Sequence, residues 1–178
     1  DAAFANGGLY LERWIEKPRH IEYQILADEH GNAMHLFERE CSVQRRHQKL
    51  IEESPAPGID TAVLREQAQR GADICAQLGY NNLGTMETLY SDGDSGFLEM
   101  NTRIQVEHGV TEEVTGIDLV QQQILLSAGG SLPEQPPSMK CHAIEVRVYA
   151  EDAQSLMPST GLLRTFGVPE LFGVRVET

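Results

Sequence analysis

The chain has 178 residues, of which 40% are hydrophobic, and it contains no apolar run long enough to span a membrane. Its 14 lysine and arginine residues against 27 aspartate and glutamate residues give a formal net charge of −13. A surface this acidic repels phosphate backbones and anionic lipids, so neither nucleic acid nor a membrane is an expected partner.

The N-terminal residues carry no signal-peptide pattern, and we expect them to lie in the middle of a longer protein. The three cysteines, Cys41, Cys75 and Cys141, are widely spaced and form neither a CxxC motif nor a plausible disulfide framework. We therefore expect reduced thiols and a cytoplasmic protein.

The first third of the chain has the pattern of β-strands. Strands are predicted at residues 10–15, 20–27 and 33–40, with a turn at residues 28–32 between the last two. The sequence PAPG at residues 55–58 should end this region, because proline and glycine interrupt regular structure.

The rest of the chain alternates between helices and short strands. Asp60 is expected to cap a helix that ends at Gly79 and carries an apolar stripe formed by Leu64, Ala68, Ala72, Cys75 and Leu78. Two strands follow at residues 84–90 and 97–101, and a second helix is capped by Asp118 and ends at Gly129. Proline-rich residues 131–140 have the composition of a linker. Residues 141–150 alternate as a strand, with Ile144, Val146 and Val148 on one face and Glu145, Arg147 and Tyr149 on the other.

An acidic hairpin gives the sharpest chemical signal. The turn SDGDSG at residues 91–96 separates two strands, and symmetry about Gly93 sets Glu87 opposite Glu99. Like charges in this position are destabilising unless a cation lies between them. Because side chains alternate between the two faces of a strand, Asn101 lies on the same face as Glu99. The oxygen atoms of these three side chains are ligands that suit Mg²⁺. The flanking apolar residues predict a buried sheet, which favours a metal site over the alternative of solvated acidic side chains.

A basic cluster, QRRHQK at residues 44–49, holds three of the fourteen lysine and arginine residues. Arginine and lysine supply the donors that a polyphosphate or a small oxyanion needs. A solvated basic turn is the alternative, and composition does not decide between the two. A cationic cluster beside a two-carboxylate metal site is nevertheless what a metal–nucleotide pocket requires.

Several long motifs resemble the active-site signatures of biotin carboxylases. They are FLEMNTRIQVEH at residues 97–108 and ERECSVQRRHQK at residues 38–49, with further matches at residues 18–22, 52–57, 84–87 and 142–147. The matches occur in order over essentially the whole chain, and chance agreement of several motifs of this length is negligible.

The resemblance implies an α+β fold, in which an ATP-grasp domain with an antiparallel sheet and helices precedes the start of the biotin carboxylase C-terminal domain. The expected boundaries are residues 1–130 for a partial ATP-grasp domain, 131–140 for the linker and 141–178 for the start of the C-terminal domain. The glycine-rich flap of the family is expected upstream of this chain. The isolated chain is therefore expected to be inactive.

The resemblance also implies roles for individual residues. The implied metal ligands are Glu87, Glu99 and Asn101, which agree with the ligands inferred from the hairpin. The implied ATP-binding residues are Glu12, Ile15, His20, Gln44 and His47. The implied bicarbonate-binding residues are Lys49, Arg103, Gln105 and Val106. The implied catalytic residues are Glu107 as the general base and Arg147 as the cation that stabilises the biotin enolate, together with Lys49 and Arg103.

The implied activity is that of an ATP-dependent ligase, which carboxylates biotin with bicarbonate through carboxyphosphate. A base must remove the proton of bicarbonate as it attacks the γ-phosphate, while cations neutralise the developing charge. The implied cofactors are ATP, Mg²⁺ or Mn²⁺, and biotin on a carrier domain. The implied partners are that carrier, a carboxyltransferase and further copies in a homo-oligomer. The expected location is the cytoplasm, or the mitochondrial matrix in a eukaryote.

Other interpretations stay open. Another ATP-grasp ligase, such as a carbamoyl-phosphate synthetase type enzyme, shares the metal pattern but not RIQVEH at residues 103–108 together with RRHQK at residues 45–49. A non-catalytic nucleotide-binding fragment is a second alternative. From the residues alone, Arg147 is also compatible with a surface position or a pair with Glu145, and His20 and His47 are compatible with structural hydrogen bonds. The final carboxyl acceptor is not encoded in this region.

Overall fold

The structure, a computed structural model, describes residues 9, 11–134, 137–168 and 171–178. The predicted strand start at Tyr10 and the predicted linker residues Gln135 and Pro136 lie outside the described residues. The chain divides into two compact units, Asp1–Arg147 and Val148–Thr178. The predicted domain boundaries stay a prediction.

The first unit contains an antiparallel sheet and three helices within its described residues. Its elements in chain order are β1 (Arg19–Ala27), β2 (Ala33–Arg45), β3 (Gln48–Ser54), α1 (Thr61–Gln77), β4 (Asn82–Ser91), β5 (Asp94–Asn101), α2 (His108–Thr115), α3 (Leu119–Ser127) and β6 (Ala143–Val146). The strand order is β5-β4-β1-β2-β3-β6, and every neighbouring pair is antiparallel. The predicted α+β class is confirmed.

The second unit has little regular structure. Its described residues form turns, irregular segments and one isolated bridge between Glu151 and Pro158. No helix in the described part of either unit is long and apolar enough to cross a lipid bilayer.

Helix α1 covers one part of the sheet and begins where the sequence predicts. The Asp60 carboxylate accepts a hydrogen bond of 2.8 Å from the backbone N–H of Ala62, which caps the helix. The predicted stripe is confirmed for the four residues that pack in a core with β1, namely Leu64, Ala68, Ala72 and Cys75. It is wrong for Leu78, which is 79% exposed because it caps the C-terminus and points away from the sheet.

A second apolar core lies under α3. Leu119 and Leu126 of this helix pack against Leu26, Leu36 and Leu83 of the sheet, and all five side chains are buried. Asp118 caps the helix as predicted, by accepting a hydrogen bond of 2.8 Å from the backbone N–H of Gln121. Along β1, the residues of the first core alternate with Glu22 and Gln24, which therefore lie on the opposite face of the sheet.

Two predicted elements differ from the structure, and two elements were missed. Residues 11–15 form no strand, because they bury no face: Trp14 is 86% exposed. The basic cluster is a tight turn at Arg46 and His47, both with positive φ, between β2 and the unpredicted strand β3. Helix α2 was missed because its eight residues are too few for a periodic signal. The strand predicted at residues 141–150 is regular only at Ala143–Val146.

The predicted burial of the acidic hairpin is confirmed for Glu87 of β4, which is 5% exposed, and is wrong for Phe97 and Leu98 of β5. Strand β5 lies at the edge of the sheet, where Phe97 is 68% exposed and Leu98 is also exposed. The face of β6 is also opposite to the one that hydrophobicity predicts, since Ile144 and Val146 are exposed while Glu145 is half-buried. Charged side chains therefore face inward at this end of the sheet, where a site can form.

The two ends of α1 provide a matched test of the packing. We predict that Leu64→Ala lowers the free energy of unfolding by about 2–4 kcal/mol, because it removes a fully buried side chain from the core. Leu78→Ala, the same substitution at an exposed site, should change it by less than about 0.5 kcal/mol. Urea-induced unfolding followed by circular dichroism measures both. Equal losses in the two variants would contradict the packing described here.

Candidate active site

Three buried carboxylates meet on one face of the sheet. Glu22 of β1 and Glu87 of β4 are direct cross-strand partners, and Glu107 lies at the N-terminus of α2. All three side chains are almost completely buried. Buried carboxylates are stable only when cations or hydrogen-bond donors compensate them, so their partners define the site.

Lys49 of β3 is the shared partner of the three carboxylates. Its Nζ donates to Glu87 Oε1 at 2.8 Å and to Glu107 Oε1 at 2.7 Å, and it also donates to Glu22 Oε2. Burial alone would lower the pKa of the ammonium group, but the charges of Glu22 and Glu107 outweigh burial and raise this pKa. Lys49 is therefore a fixed cation at the centre of the cluster.

Glu87 is bound from several sides. In addition to Lys49, Gln105 Nε2 donates to its Oε1 at 2.8 Å and Asn101 Nδ2 at 3.0 Å, while His20 Nε2 lies 2.9 Å from its Oε2. Burial opposes ionisation, but the close contacts with His20 and Lys49 outweigh it and lower the pKa of Glu87 to about 2. This carboxylate is ionised at neutral pH and can act as an oxygen ligand.

Glu107 stands between two cations. Lys49 binds its Oε1, and Arg147 Nη2 donates to its Oε2 at 2.8 Å. Burial raises the pKa, but the charges of Lys49 and Arg39 and the hydrogen bond from Lys49 lower it to about 2. The predicted general base is thus ionised, and its proton affinity is low while both cations hold it.

Arg39 of β2 donates hydrogen bonds to several side chains in and around the carboxylate cluster. Its fully buried guanidinium donates to Glu22 Oε1 at 2.6 Å, to Gln24 Oε1 at 2.8 Å and to Thr111 Oγ1 of α2 at 2.8 Å. It also donates to Gln105 Oε1 at 3.2 Å, so the amide nitrogen of Gln105 is turned toward Glu87. One buried cation therefore orients a carboxylate and an amide of the site.

The predicted ATP-binding residues fall into two groups. His20 belongs to the cluster, and Gln44 Nε2 lies 3.1 Å from its Nδ1. His47 lies in the exposed turn between β2 and β3. Glu12 is exposed and Ile15 is half-buried, with Ile15 Cδ1 3.1 Å from the position that a Cβ on Gly96 would occupy. The structure places Ile15 beside β5, and it brings neither Glu12 nor Ile15 into the carboxylate cluster.

Of the remaining predicted residues, Glu99, Arg103 and Val106 are exposed, whereas Gln105 is buried. Glu99 is the cross-strand partner of Glu87, which confirms the predicted register, but it is exposed. Arg103 Nη2 donates to Asn101 Oδ1 at 3.3 Å, and Val106 is exposed. Gln105 is buried at the base of the site, as its contacts with Arg39 and Glu87 require.

The side chains of Glu87, Glu99 and Asn101 fit a hard divalent cation. Asn101 Nδ2 lies 3.0 Å from Glu87 Oε1 and 3.4 Å from Glu99 Oε1, so one amide reaches both carboxylates. A few oxygen ligands near solvent suit Mg²⁺, which keeps water and takes further ligands from phosphate. Asn101 presents its nitrogen to the carboxylates in this structure, so it could serve as an oxygen ligand only after its amide turns.

Glu22 is the site residue that sequence reasoning missed, although it lies within one of the quoted motifs. His20, Glu22 and Glu87 each offer a ligand atom within 4.8 Å of the others, and Glu22 also contacts Lys49. A signal was available: Glu22 is a charged residue in the apolar strand RHIEYQILA, and strand alternation puts it on the face of His20.

Comparisons with known proteins bear on this geometry. A model of the family described as carbamoyl-phosphate synthase L chain, ATP binding domain, matches residues 1–135. A biotin carboxylase from Allochromatium vinosum is 52% identical over 99% of this chain and 40% of its own length. The chain thus spans well under half the length of this relative.

Solved structures show the same fold. The biotin carboxylase of Campylobacter jejuni, described as a β-γ-ATP complex, has 45% identity and a TM-score of 0.84 over 88% of this chain and 36% of that one. The biotin carboxylase domain dimer of Hydrogenobacter thermophilus 2-oxoglutarate carboxylase, in complex with MgADP, ADP and bicarbonate, has 42% identity and a TM-score of 0.88 over 92% of this chain and 37% of that one. The predicted ATP-grasp fold is confirmed.

The low pKa of Glu107 predicts a pH-dependent contribution to stability. A carboxyl whose folded-state pKa of about 2 lies below its ordinary value stabilises the fold above about pH 4.5, and this stabilisation disappears as the pH falls toward 2. The difference in the free energy of unfolding between the wild-type chain and Glu107→Gln should therefore narrow by about 2 kcal/mol from about pH 6 to about pH 3. Urea-induced unfolding at each pH measures this difference.

The Glu66→Gln variant, which removes an exposed carboxylate of α1 outside the site, is measured in parallel as the control. A constant difference for Glu107→Gln over the same range would contradict the ion pairs of Glu107 with Lys49 and Arg147.

Proposed function

The chain belongs to the family of the carbamoyl-phosphate synthase L chain ATP-binding domain, among its biotin carboxylase members, and we propose that its parent protein carboxylates biotin with bicarbonate in an ATP-dependent reaction. The resemblance inferred from the motifs is confirmed by a relative that matches 99% of the chain. The observation that supports the proposed activity most strongly is the position of Lys49, which donates to both Glu87 and Glu107 within 2.8 Å.

Lys49 contacts a residue assigned to each of two parts of the proposed reaction, namely Glu87 and Glu107. We assign Glu87, with Glu99 and Asn101, to the metal that accompanies ATP, and Glu107 to the base that activates bicarbonate. Bound Mg²⁺ would neutralise the charge of the phosphates. Because one ammonium group contacts both Glu87 and Glu107, a bicarbonate held by Lys49 would lie beside the γ-phosphate of the nucleotide.

ATP would lie along the edge of the cluster. We assign His20 and Gln44, which contact each other at 3.1 Å, to the polar part of the nucleotide, together with His47 in the neighbouring turn. Glu12 and Ile15 are assigned to the adenine. Ile15 packs beside Gly96 of β5, which supports an apolar contact there.

The ion pairs of Glu107 suggest how the base is activated. Burial raises the pKa of Glu107, but the charges of Lys49 and Arg39 keep it near 2 in this structure. A bicarbonate anion that takes over the hydrogen bonds of Lys49 removes one of these cations from Glu107. The proton affinity of the carboxylate then rises, so that it becomes an effective base when its substrate is present.

Bicarbonate would be held by Lys49, Arg103, the amide of Gln105 and the backbone N–H of Val106. As Glu107 takes its proton, a bicarbonate oxygen attacks the γ-phosphorus, the bond to the β-phosphate oxygen breaks, and ADP and carboxyphosphate form. Carboxyphosphate then splits into CO₂ and phosphate. The side chains of Lys49 and Arg103 neutralise the charge that develops on the transferred group.

Biotin is the second substrate of this half-reaction. Phosphate would take the proton from biotin N1, which leaves negative charge on the ureido oxygen, and N1 then bonds to CO₂. We assign Arg147 to the stabilisation of that oxygen, because its guanidinium already lies 2.8 Å from Glu107 and is half-buried. The position of Arg147 thus supports a biotin site beside the bicarbonate site.

Partners and location follow from the proposed reaction. Biotin would be presented by a carrier domain, and a carboxyltransferase would use the product; we also propose that the parent protein is a homo-oligomer. A cytoplasmic or mitochondrial-matrix location agrees with the cysteines, since Cys41, Cys75 and Cys141 are all free thiols. The isolated chain is predicted to be inactive.

A different ATP-grasp ligase of the carbamoyl-phosphate synthetase type is the second candidate, favoured by the description of the matching family. It would use the same metal and ATP residues. It gives no reason for Arg147, the residue after strand β6, to reach Glu107, and its activity would not depend on biotin.

We predict that the complete parent protein releases ADP from ATP in a reaction that requires Mg²⁺ and bicarbonate and is stimulated by free biotin. Glu107→Gln should lower this rate by at least about a hundredfold, because the amide cannot accept the proton of bicarbonate. A coupled ADP assay measures the rate, with Glu66→Gln as the control. ADP release that depends on another acceptor instead of biotin would favour the second candidate.

The metal assignment predicts a separate effect. Glu99→Gln should raise the Mg²⁺ concentration for half-maximal ADP release by about tenfold, because a neutral amide is a weaker ligand than a carboxylate. Asp92→Asn, in the exposed turn before the same strand, should leave it unchanged. Titration of Mg²⁺ at a fixed ATP concentration measures both. An unchanged Mg²⁺ requirement in Glu99→Gln would remove Glu99 from the metal site.

A further inference from the structure

Glu52 is a buried carboxylate that the proposed reaction does not yet use. It lies on β3, between β2 and β6, and its side chain is completely buried. Its Oε1 accepts from Arg147 Nε at 2.7 Å and lies 2.7 Å from Arg147 Nη2. Its Oε2 is buried and has no hydrogen-bond partner in the described part of the chain.

The register of β3 and β6 explains this contact. Glu52 is the cross-strand partner of Glu145, and Arg147 follows Glu145 by two residues, so all three side chains share one face of the sheet. The backbone N–H of Arg147 donates to the carbonyl oxygen of Leu50 at 3.0 Å, which fixes the start of its side chain. Glu52 is thus held at a constant distance from the guanidinium.

Arg147 is shared between two carboxylates. Its Nη2 reaches Glu107 Oε2 at 2.8 Å and Glu52 Oε1 at 2.7 Å, and its Nε also donates to Glu52 Oε1 at 2.7 Å. Burial raises the pKa of Glu52 to about 7, with Arg147 lowering it and the charges of Glu145 and Glu107 raising it further. Arg147 is therefore the group that compensates the burial of Glu52.

We propose that Glu52 is a positioning residue for Arg147, which holds the guanidinium through Nε so that Nη2 points at the ureido oxygen of biotin. This inference rests on the proposed function. When Glu107 takes a proton, it loses its charge and releases Arg147. Glu52 then remains to keep the guanidinium at the site, and without it the side chain can turn toward solvent.

The consequence is specific to the second step of the reaction. Formation of carboxyphosphate uses Lys49 and Glu107, whereas the carboxylate of Glu52 contacts the guanidinium of Arg147. Carboxylation of biotin uses Arg147. Loss of Glu52 should therefore lower the yield of carboxybiotin for each ADP released, because carboxyphosphate that does not react with biotin breaks down in water.

The test uses the complete parent protein with free biotin. Carboxybiotin and ADP are measured in the same reaction for the wild type, Glu52→Gln and Glu53→Gln. We expect the ratio of carboxybiotin to ADP to fall about tenfold in Glu52→Gln and the KM for biotin to rise, because a neutral amide holds the guanidinium weakly. Glu53 is the next residue on the strand, faces the other side of the sheet and should show no change.

If Glu52→Gln does not fold, Glu52→Asp is the second variant in which the same ratio is measured. It keeps the charge but shortens the side chain by one methylene, so it should misplace Arg147 and lower the same ratio. An unchanged ratio in a folded Glu52 variant, or an equal loss of ADP release and carboxybiotin, would overturn the inference. If the wild-type protein releases no ADP in response to biotin, the proposed function fails first, whatever the Glu52 variants do.

Discussion

The sharing of Lys49 among three buried carboxylates is the interaction on which the rest of the structure depends. Glu22, Glu87 and Glu107 come from β1, β4 and the start of α2, and the side chain of Lys49 donates to all three. Removal of one partner from such a buried network typically costs about 3–5 kcal/mol, because a charge is left uncompensated. The strands must therefore keep this register, and the two apolar cores on the sheet hold it.

The same network gives the site its chemistry. An anionic substrate can compete with a buried carboxylate for the cation that is paired with it. In the proposed reaction, Lys49 and Arg147 therefore act both as structural partners of the carboxylates and as substrate ligands. Glu107 changes its proton affinity with the occupancy of its partners. The fixed cation Arg39, which is fully buried beneath the cluster, keeps Glu22 and Gln105 in place during that exchange.

Local signals in the sequence predicted much of the fold and part of the site. The capped helix α1 and the pairing of Glu87 with Glu99 follow from nearby residues, and both are confirmed. Strand β3, the inward charged face of β6 and the role of Glu22 were not predicted. Each depends on partners distant in sequence: Glu22 is buried only because Arg39 and Lys49 compensate it, and alternation alone does not tell which face of a strand the fold will cover.

The central claim is that bicarbonate attacks ATP at the carboxylate–lysine cluster. Transfer of ¹⁸O from labelled bicarbonate to inorganic phosphate tests it most directly, because carboxyphosphate formation leaves one bicarbonate oxygen on the phosphate. With the complete parent protein and biotin, we expect one labelled oxygen in each phosphate released, and loss of this transfer in Lys49→Met. Phosphate that carries only oxygen from water would contradict the claim, since ATP would then be hydrolysed without bicarbonate as the nucleophile.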